Sequence, residues 1–319
     1  MRFRFGARCG GGRLPNSEGM PPHWGAKIAG IMLALVALGG QLPAQAPPDW
    51  TAPFPPFKVA GNLYYVGSKG LGNYLVVTPA GNILINSDLE ANVPLIKASI
   101  EKLGFKFSDT KILLINHAHY DHDAGSALIK KLTGAKYMVM DADVPVVESG
   151  GKDDFQYGND PVAQYAPTKV DRVLHDGDEV KLGGTVLVAH LTAGHTRGCT
   201  TWTMKVNEGG KSYNAVIVGG PFVNPGYKLV GNTVYPHIAD DYAHGFEVLK
   251  SLPVDFFVGA HGSYFDLEVK YPRLKEGAPS PFLDPDGYKK FVADAEKAFQ
   301  TELAKQKAAA VKKWRFDER

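Results

Sequence analysis

Short runs of hydrophobic residues separated by turn residues dominate the first half of the chain. Five of these runs are rich in valine, isoleucine, leucine and tyrosine, and we predict strands at residues 62–66, 74–77, 82–86, 111–115 and 136–140. Pro79, Ala80 and Gly81 supply a hairpin turn between the second and third of them. Apolar residues at helical spacing predict one helix that ends near Gly104 and another over about residues 124–132.

The second half repeats this order after an irregular stretch. Residues 149–169 show no periodicity and predict a long surface loop, of the kind that can form a flap beside a functional site. Beyond it we predict strands at 180–182, 185–191, 200–206, 215–218 and 255–259, and helices at about 238–252 and 285–305. Residues 306–319 are rich in lysine and alanine and are predicted to fray. Because no linker separates the halves, we expect one α/β domain over residues 47–305, with two sheets sandwiched between helix layers.

An apolar run near the N-terminus differs from all of these. Residues 28–38 follow Lys27 and precede small residues that end in Ala44-Gln45-Ala46. This pattern is typical of a secretory signal peptide, and the run is shorter than the roughly 20 residues that span a bilayer. We therefore predict a signal peptide at residues 1–46, cleaved near 44–46, with Met20 as a possible start. The mature protein is expected in the periplasm.

Composition and charge narrow the class of protein further. The chain has 319 residues, of which 44% are hydrophobic and 21% charged, as in ordinary globular proteins. Residues 1–46 hold five of the 35 basic and one of the 33 acidic residues, which leaves 30 against 32 and a mature net charge of −2. We expect a monomer that binds neither nucleic acid nor a membrane surface. Of two cysteines, Cys9 lies in the leader, so no internal disulfide is expected in the mature chain.

Three groups of donor side chains follow predicted strands. The strand at 111–115 leads into the cluster His117-Ala118-His119-Tyr120-Asp121-His122. The strand at 185–191 leads to His195 in a Gly-His-Thr sequence, and the strand at 255–259 leads to His261 between Ala260 and Gly262. Ligands carried on the ends of neighbouring strands can converge on one point. The sequence therefore predicts a metal centre.

The spacing within the cluster predicts two metals. His117 and His119 can point to the same side of an extended backbone, whereas Asp121 and His122 come later, where the chain turns into a helix. Each metal needs one more ligand, and spacing alone does not say which takes His195 and which His261. Three protein ligands and one open position are typical of catalytic zinc. Two zinc ions roughly 3.5–4 Å apart can hold hydroxide and polarise a substrate oxygen, which predicts hydrolysis of an amide, ester or thioester. Cys199 is expected to be a buried small side chain and no ligand.

Taken together, these motifs resemble the metallo-β-lactamase superfamily and its αβ/βα sandwich fold. The resemblance rests on residues 117–122, 194–196 and 259–261, extends from about residue 53 to 305, and is strongest to subclass B3. It implies two Zn²⁺ ions with divided ligand sets. The first zinc would be bound by His117, His119 and His195, and the second by Asp121, His122 and His261.

The resemblance also implies a substrate and a reaction. Zinc-held hydroxide would attack the β-lactam amide of penicillins, cephalosporins and carbapenems, with Asp121 orienting the nucleophile, and would confer antibiotic resistance. Several relatives carry a serine, which helps to hold water or the substrate carboxylate, in the stretch corresponding to residues 219–223; this chain has none there. Thr196, Asn224 and Tyr157 are the candidates to contact substrate instead.

Two other functions remain open at this stage. A glyoxalase II-like thioesterase or a lactonase would share the fold, but such enzymes usually bridge their metals with an aspartate after a strand in the second half. Here the strand at 215–218 ends in Gly219-Gly220-Pro221. A zinc-dependent sensor without catalysis is the second alternative, and the open coordination positions argue against it.

Overall fold

The computed structural model describes residues 46–275 and 278–317, so nearly all of the predicted signal peptide lies outside the described residues. A seven-stranded sheet is built from the first half of the chain. Its strands lie side by side in chain order: β1 (Phe57–Ala60), β2 (Leu63–Tyr65), β3 (Tyr74–Thr78), β4 (Gly81–Ile85), β5 (Thr110–Leu114), β6 (Lys136–Met140) and β7 (Arg172–Leu174). Strands β1 to β4 pair antiparallel, and β4 to β7 pair parallel.

The second sheet has five strands and a mostly antiparallel arrangement. Its order is β12 (Phe256–Gly259), β11 (Lys211–Val218), β10 (Thr200–Glu208), β9 (Thr185–Leu191) and β8 (Glu179–Leu182), and only β11 and β12 pair parallel within it. The helices of the described residues are α1 (Pro48–Thr51), α2 (Val93–Lys102), α3 (Tyr120–Asp123), α4 (Ser126–Thr133), α5 (Val144–Ser149), α6 (Ile238–Ser251), α7 (Leu267–Lys270) and α8 (Pro285–Asp317).

The uninterrupted apolar runs of β4 and β5 have a direct structural cause. Ile83 and Ile85 of β4 point into the core between the two sheets, whereas Leu84 points into a second core beneath α2 and α4. Successive side chains of a strand face opposite sides, so a strand buried on both faces must be apolar at every position. Helices α6 and α8 cover the second sheet in the same way. The result is the four-layer αβ/βα sandwich that the sequence predicts.

The predicted strands, and the predicted helices other than the last, are confirmed within a few residues, including the hairpin in which Thr78 pairs with Gly81. The sequence interpretation missed β1, β7, α1, α5 and α7. It also ended the last helix too early, at about residue 305, whereas α8 continues to Asp317. Gln306 explains part of the difference, because its amide accepts from Leu229 N and donates to Tyr227 O at 2.7 and 2.8 Å. No helix of the described residues is long and apolar enough to cross a membrane.

Candidate metal centre

A pair of buried asparagines fixes the end of β5, from which the donor cluster begins. Asn116 donates its backbone N–H to Asn86 Oδ1 and accepts from Asn86 Nδ2, both at 2.8 Å. The Asn116 side chain also donates to Thr200 O at 2.9 Å, which joins the first sheet to the second. Asn86 itself has a φ of 67°, a conformation that asparagine tolerates better than most residues. The following loop is therefore held between the two sheets.

The structure brings all six predicted ligands to one place. His117, His119 and His195 each offer a ligand atom within 4.8 Å of the others, and His117, Asp121 and His122 form a second such group. His261 completes the arrangement, since its Nε2 lies 3.1 Å from His122 Nε2 and 3.6 Å from Asp121 Oδ2. His117 thus lies between the two halves of the site, a feature that spacing did not predict.

Contacts behind two of the rings determine which nitrogen faces inward. His195 Nδ1 lies 2.8 Å from Phe222 O, which leaves its Nε2 facing His119 Nδ1 at 3.1 Å. The other nitrogen of His119 faces Tyr227 at 3.4 Å and Asp154 at 3.6 Å. A hydrogen bond on one ring nitrogen fixes the tautomer and leaves the other as a metal ligand.

The donor set fits a divalent metal such as zinc. Neither ring nitrogen of His117 has a hydrogen-bond partner among the described residues, although the side chain is buried, and such unpaired groups are destabilising unless something binds them. Burial lowers the pKa of His117 strongly, that of His195 to about 3 and that of His261 to about 4, so these imidazoles are neutral at pH 7. Metals bind the neutral form.

Asp121 supplies the negative charge. Burial alone would raise the pKa of its carboxyl group, but the neighbouring His122, followed by His261 and His119, lowers it well below the ordinary value. The site therefore combines five imidazoles with one ionised carboxylate, which are ordinary ligands of zinc.

An open cavity of about 400 Å³ lies above these ligands. Its walls include Trp50, Tyr120, Tyr157, Asn224 and Tyr264, and the floor includes His119, Asp121, His195 and His261. Of the three residues predicted to contact substrate, Tyr157 and Asn224 line the cavity and are joined by a hydrogen bond of 3.1 Å. The structure does not bring Thr196 there, because its buried hydroxyl donates to Asp143 Oδ2 at 2.7 Å.

Trp50 is a cavity residue that sequence reasoning missed. It lies in α1, within an arm formed by the proline-rich residues 47–57, whose composition predicts an extended surface segment; the short helix corrects that prediction. Its ring lies 5.9 Å from that of Tyr120 and 6.0 Å from that of His261. Asn92 donates to Trp50 O at 2.7 Å, and Gly70 N to Asp49 O at 2.8 Å, so the arm is tied to the domain. No local pattern in the arm indicates this contact.

The glycines after β11 are explained by close packing. A Cβ atom at Gly220 would lie 2.5 Å from His195 Cδ2, and one at Gly219 would lie 2.8 Å from Cys199 Sγ. A serine or an aspartate at Gly220 would therefore displace a predicted metal ligand. This packing explains why glycine stands at residues 219 and 220.

Cys199 is fully buried and lies outside the ligand groups. Its Sγ accepts from Gly220 N at 3.0 Å, and burial raises the pKa of the thiol to about 12. A thiol that keeps its proton is a poor zinc ligand. Cys199→Ser should therefore leave the zinc content of the purified protein unchanged, as measured by elemental analysis against the parent chain. Loss of a metal from the serine variant would make Cys199 a ligand after all.

Comparisons with known proteins agree with the fold and the site. The sequence profile of the family described as the metallo-beta-lactamase superfamily matches residues 70–208. The structure of native FEZ-1 metallo-β-lactamase from Legionella gormanii is 63% identical, over 81% of this chain and 98% of that one, with a TM-score of 0.80.

Two further structures are similar at lower identity. BJP-1, a subclass B3 metallo-β-lactamase of Bradyrhizobium japonicum, is 37% identical over 82% of this chain and 98% of its own, with a TM-score of 0.77. LRA-12, a class B3 di-zinc metallo-β-lactamase from an Alaskan soil metagenome, is 38% identical over 81% of this chain and 98% of its own, also with a TM-score of 0.77.

The sandwich fold and the histidine-rich centre at its edge define a metal-dependent hydrolase. With relatives of this identity and coverage, the chain belongs to the metallo-β-lactamase superfamily, as a member of subclass B3.

Proposed function

We propose that this β-lactamase binds two zinc ions and hydrolyses the amide of penicillins, cephalosporins and carbapenems without a covalent enzyme intermediate. The observation that carries the proposal is the convergence of six donors, from three separate segments, at the base of one open cavity, where four of them form the floor. The di-zinc relative LRA-12 supports the metal count. In a bacterium that is exposed to β-lactams, this activity would confer antibiotic resistance.

The proposed ligand sets follow the two halves of the site. His117, His119 and His195 would hold the first zinc, and Asp121, His122 and His261 would hold the second. When bound, the metals would lower the pKa of a water molecule to near neutrality and polarise the amide carbonyl as Lewis acids. Asp121 also lines the cavity, and its ionised carboxylate can accept a hydrogen bond from the attacking water and so orient it.

The substrate carboxylate would be bound by neutral donors. Among the described residues, no lysine or arginine lines the cavity. Asn224 Nδ2 donates to Tyr157 Oη, which leaves the Tyr157 hydroxyl hydrogen available for substrate. Burial raises the pKa of Tyr157, so the hydroxyl stays protonated at neutral pH. These two residues are our proposed substrate contacts.

We further propose that the protein is exported to the periplasm and acts there as a monomer. The signal-peptide pattern at residues 1–46 supports export. Separation of periplasmic from cytoplasmic fractions, followed by nitrocefin assay of each, tests the location, and activity confined to the cytoplasm would contradict it.

Chelation provides the direct test of the metal chemistry. Purified mature protein should hold about two zinc ions per chain and hydrolyse nitrocefin and a carbapenem. EDTA should abolish turnover, added zinc should restore it, and clavulanate should have no effect. S-lactoylglutathione and an acyl-homoserine lactone, as comparison substrates, should be turned over far more slowly. Turnover that survives complete removal of zinc would contradict the proposal, and faster turnover of either comparison substrate would favour the thioesterase or lactonase.

A further inference from the structure

The loop at residues 150–165 places a buried carboxylate directly behind one of the proposed zinc ligands. The side chain of Asp154 is only 4% exposed. Its Oδ1 accepts the backbone N–H groups of Gln156 and Tyr157 at 2.8 and 2.6 Å. Its Oδ2 lies 3.6 Å from His119 Nε2 and has no hydrogen-bond partner among the described residues. One oxygen thus shapes the loop, and the other faces the metal centre.

The orientation of His119 makes this carboxylate the natural acceptor. His119 Nδ1 faces His195 on the inner side, so Nε2 must carry the hydrogen when Nδ1 binds a metal. Metal-binding histidines almost always donate that second N–H to a carboxylate, a carbonyl or water. Tyr227 Oη also lies 3.4 Å from Nε2, but it is neutral and already donates to His195 O. An anionic oxygen is the stronger acceptor.

We propose that Asp154 is a positioning residue that couples the 150–165 loop to the first metal site through His119. This inference rests on the zinc ligand set proposed above. Metal binding at Nδ1 would fix the hydrogen on Nε2 and so strengthen the contact with Asp154. Through the backbone of residues 156 and 157, the same contact would hold Tyr157 against the cavity, where its ring lies 5.3 Å from that of His119. The coupling must work in both directions, so a loosened loop weakens zinc binding.

A purely local role for Asp154 is the competing explanation. Aspartates often stabilise turns by accepting backbone N–H groups two or three residues ahead, as Oδ1 does here. The loop also has anchors of its own, since Tyr165 Oη donates to Ala118 O at 2.7 Å and Tyr165 N to Gly150 O at 3.1 Å. These anchors should keep the loop folded in a variant that loses only the contact with His119.

Asp154→Asn separates the two roles. The asparagine oxygen can still accept from residues 156 and 157, but its NH₂ group would then face the N–H of His119, donor against donor. Asp153→Asn is the matched control, because Asp153 is the neighbouring acid and is exposed. The zinc affinity of each site is measured by competition with a chromophoric chelator. Hydrogen exchange of residues 150–165 is measured in the zinc-free and zinc-loaded proteins.

In the parent chain and in Asp153→Asn, zinc should slow exchange in the loop. In Asp154→Asn, the first zinc should bind about 10–100-fold more weakly, the second should be nearly unaffected, and loop exchange should no longer respond to zinc. Asp154→Ser, which keeps an oxygen for the turn, should behave in the same way and serves if the asparagine variant does not fold.

Unchanged affinity for the first zinc in Asp154→Asn would overturn the inference, whatever the hydrogen exchange of the loop shows. If the loop then exchanged rapidly in both the zinc-free and the zinc-loaded variant, Asp154 would have a role in the turn alone. A parent chain that binds no zinc at His119 would instead refute the proposed ligand set, and the inference with it.

Discussion

His122→Ala should release the second zinc and lower kcat for nitrocefin by about a thousandfold. His122 is completely buried, and its Nε2 lies 3.1 Å from His261 Nε2 and 3.3 Å from Asp121 Oδ2, at the middle of the proposed second ligand set. A metal acting as Lewis acid supplies several kcal/mol of transition-state stabilisation, and each 1.36 kcal/mol is tenfold in rate, so losing one of two should cost about 10³ in kcat.

Zinc content per chain and steady-state nitrocefin hydrolysis measure this result together. His244→Ala is the matched control, because His244 lies on α6 with a side chain that is 66% exposed. The control should keep both zinc ions and the parent rate. A His122→Ala protein with two zinc ions and unaltered kcat would show that the second site is built from other residues.

Asp143→Ala should lower the thermal midpoint of the zinc-free protein by about 5 °C. Asp143 Oδ2 accepts from Ala118 N and from the Thr196 hydroxyl at 3.0 and 2.7 Å, and Oδ1 accepts from Gly198 N at 2.8 Å. The carboxylate therefore joins the loop that carries His117 and His119 to the loop that carries His195. Alanine would leave three buried donors unpaired, at about 1–3 kcal/mol each.

Part of this loss should be offset. Burial is the main cause that raises the pKa of Asp143 to about 6, so removing the carboxylate also relieves a desolvation penalty. A net loss of about 3 kcal/mol corresponds to about 5 °C in a domain of this size. Calorimetry checks the shift, with Asp240→Ala as control because the Asp240 side chain is 86% exposed. A variant that melts with the parent would show that water or backbone movement replaces all three bonds.

The sequence predicted those parts of the fold and site that are determined by residues close to one another in the chain. The apolar runs of β4 and β5 follow from burial on both faces, and the donor cluster begins where β5 ends. The two strands and the cluster could therefore be predicted from short stretches of sequence. His195 and His261 were predicted because each follows a strand. The pairing of these two with the cluster came from family resemblance, since it depends on how the sheets face one another.

The residues that sequence reasoning misplaced or missed depend on distant partners. Thr196 is turned away from the cavity by Asp143, which lies 53 residues earlier in the chain. Asp154 lies in an irregular loop, where aspartates are common, and only the structure shows that His119 lies beside it. The end of α8 depends on Gln306, which contacts the backbone of Tyr227 and Leu229. In each case one contact between distant segments decides the outcome.

The N-terminal arm contributes to the wall of the cavity but supplies none of the proposed metal ligands. Trp50 forms part of the wall, yet it belongs to neither sheet, and the main-chain atoms of the arm provide the hydrogen bonds that attach it. The side chain at residue 50 can therefore change without removing those bonds, the metal ligands or either hydrophobic core. A substitution at this position would thus widen or narrow the entrance of the cavity and leave the proposed metal centre intact.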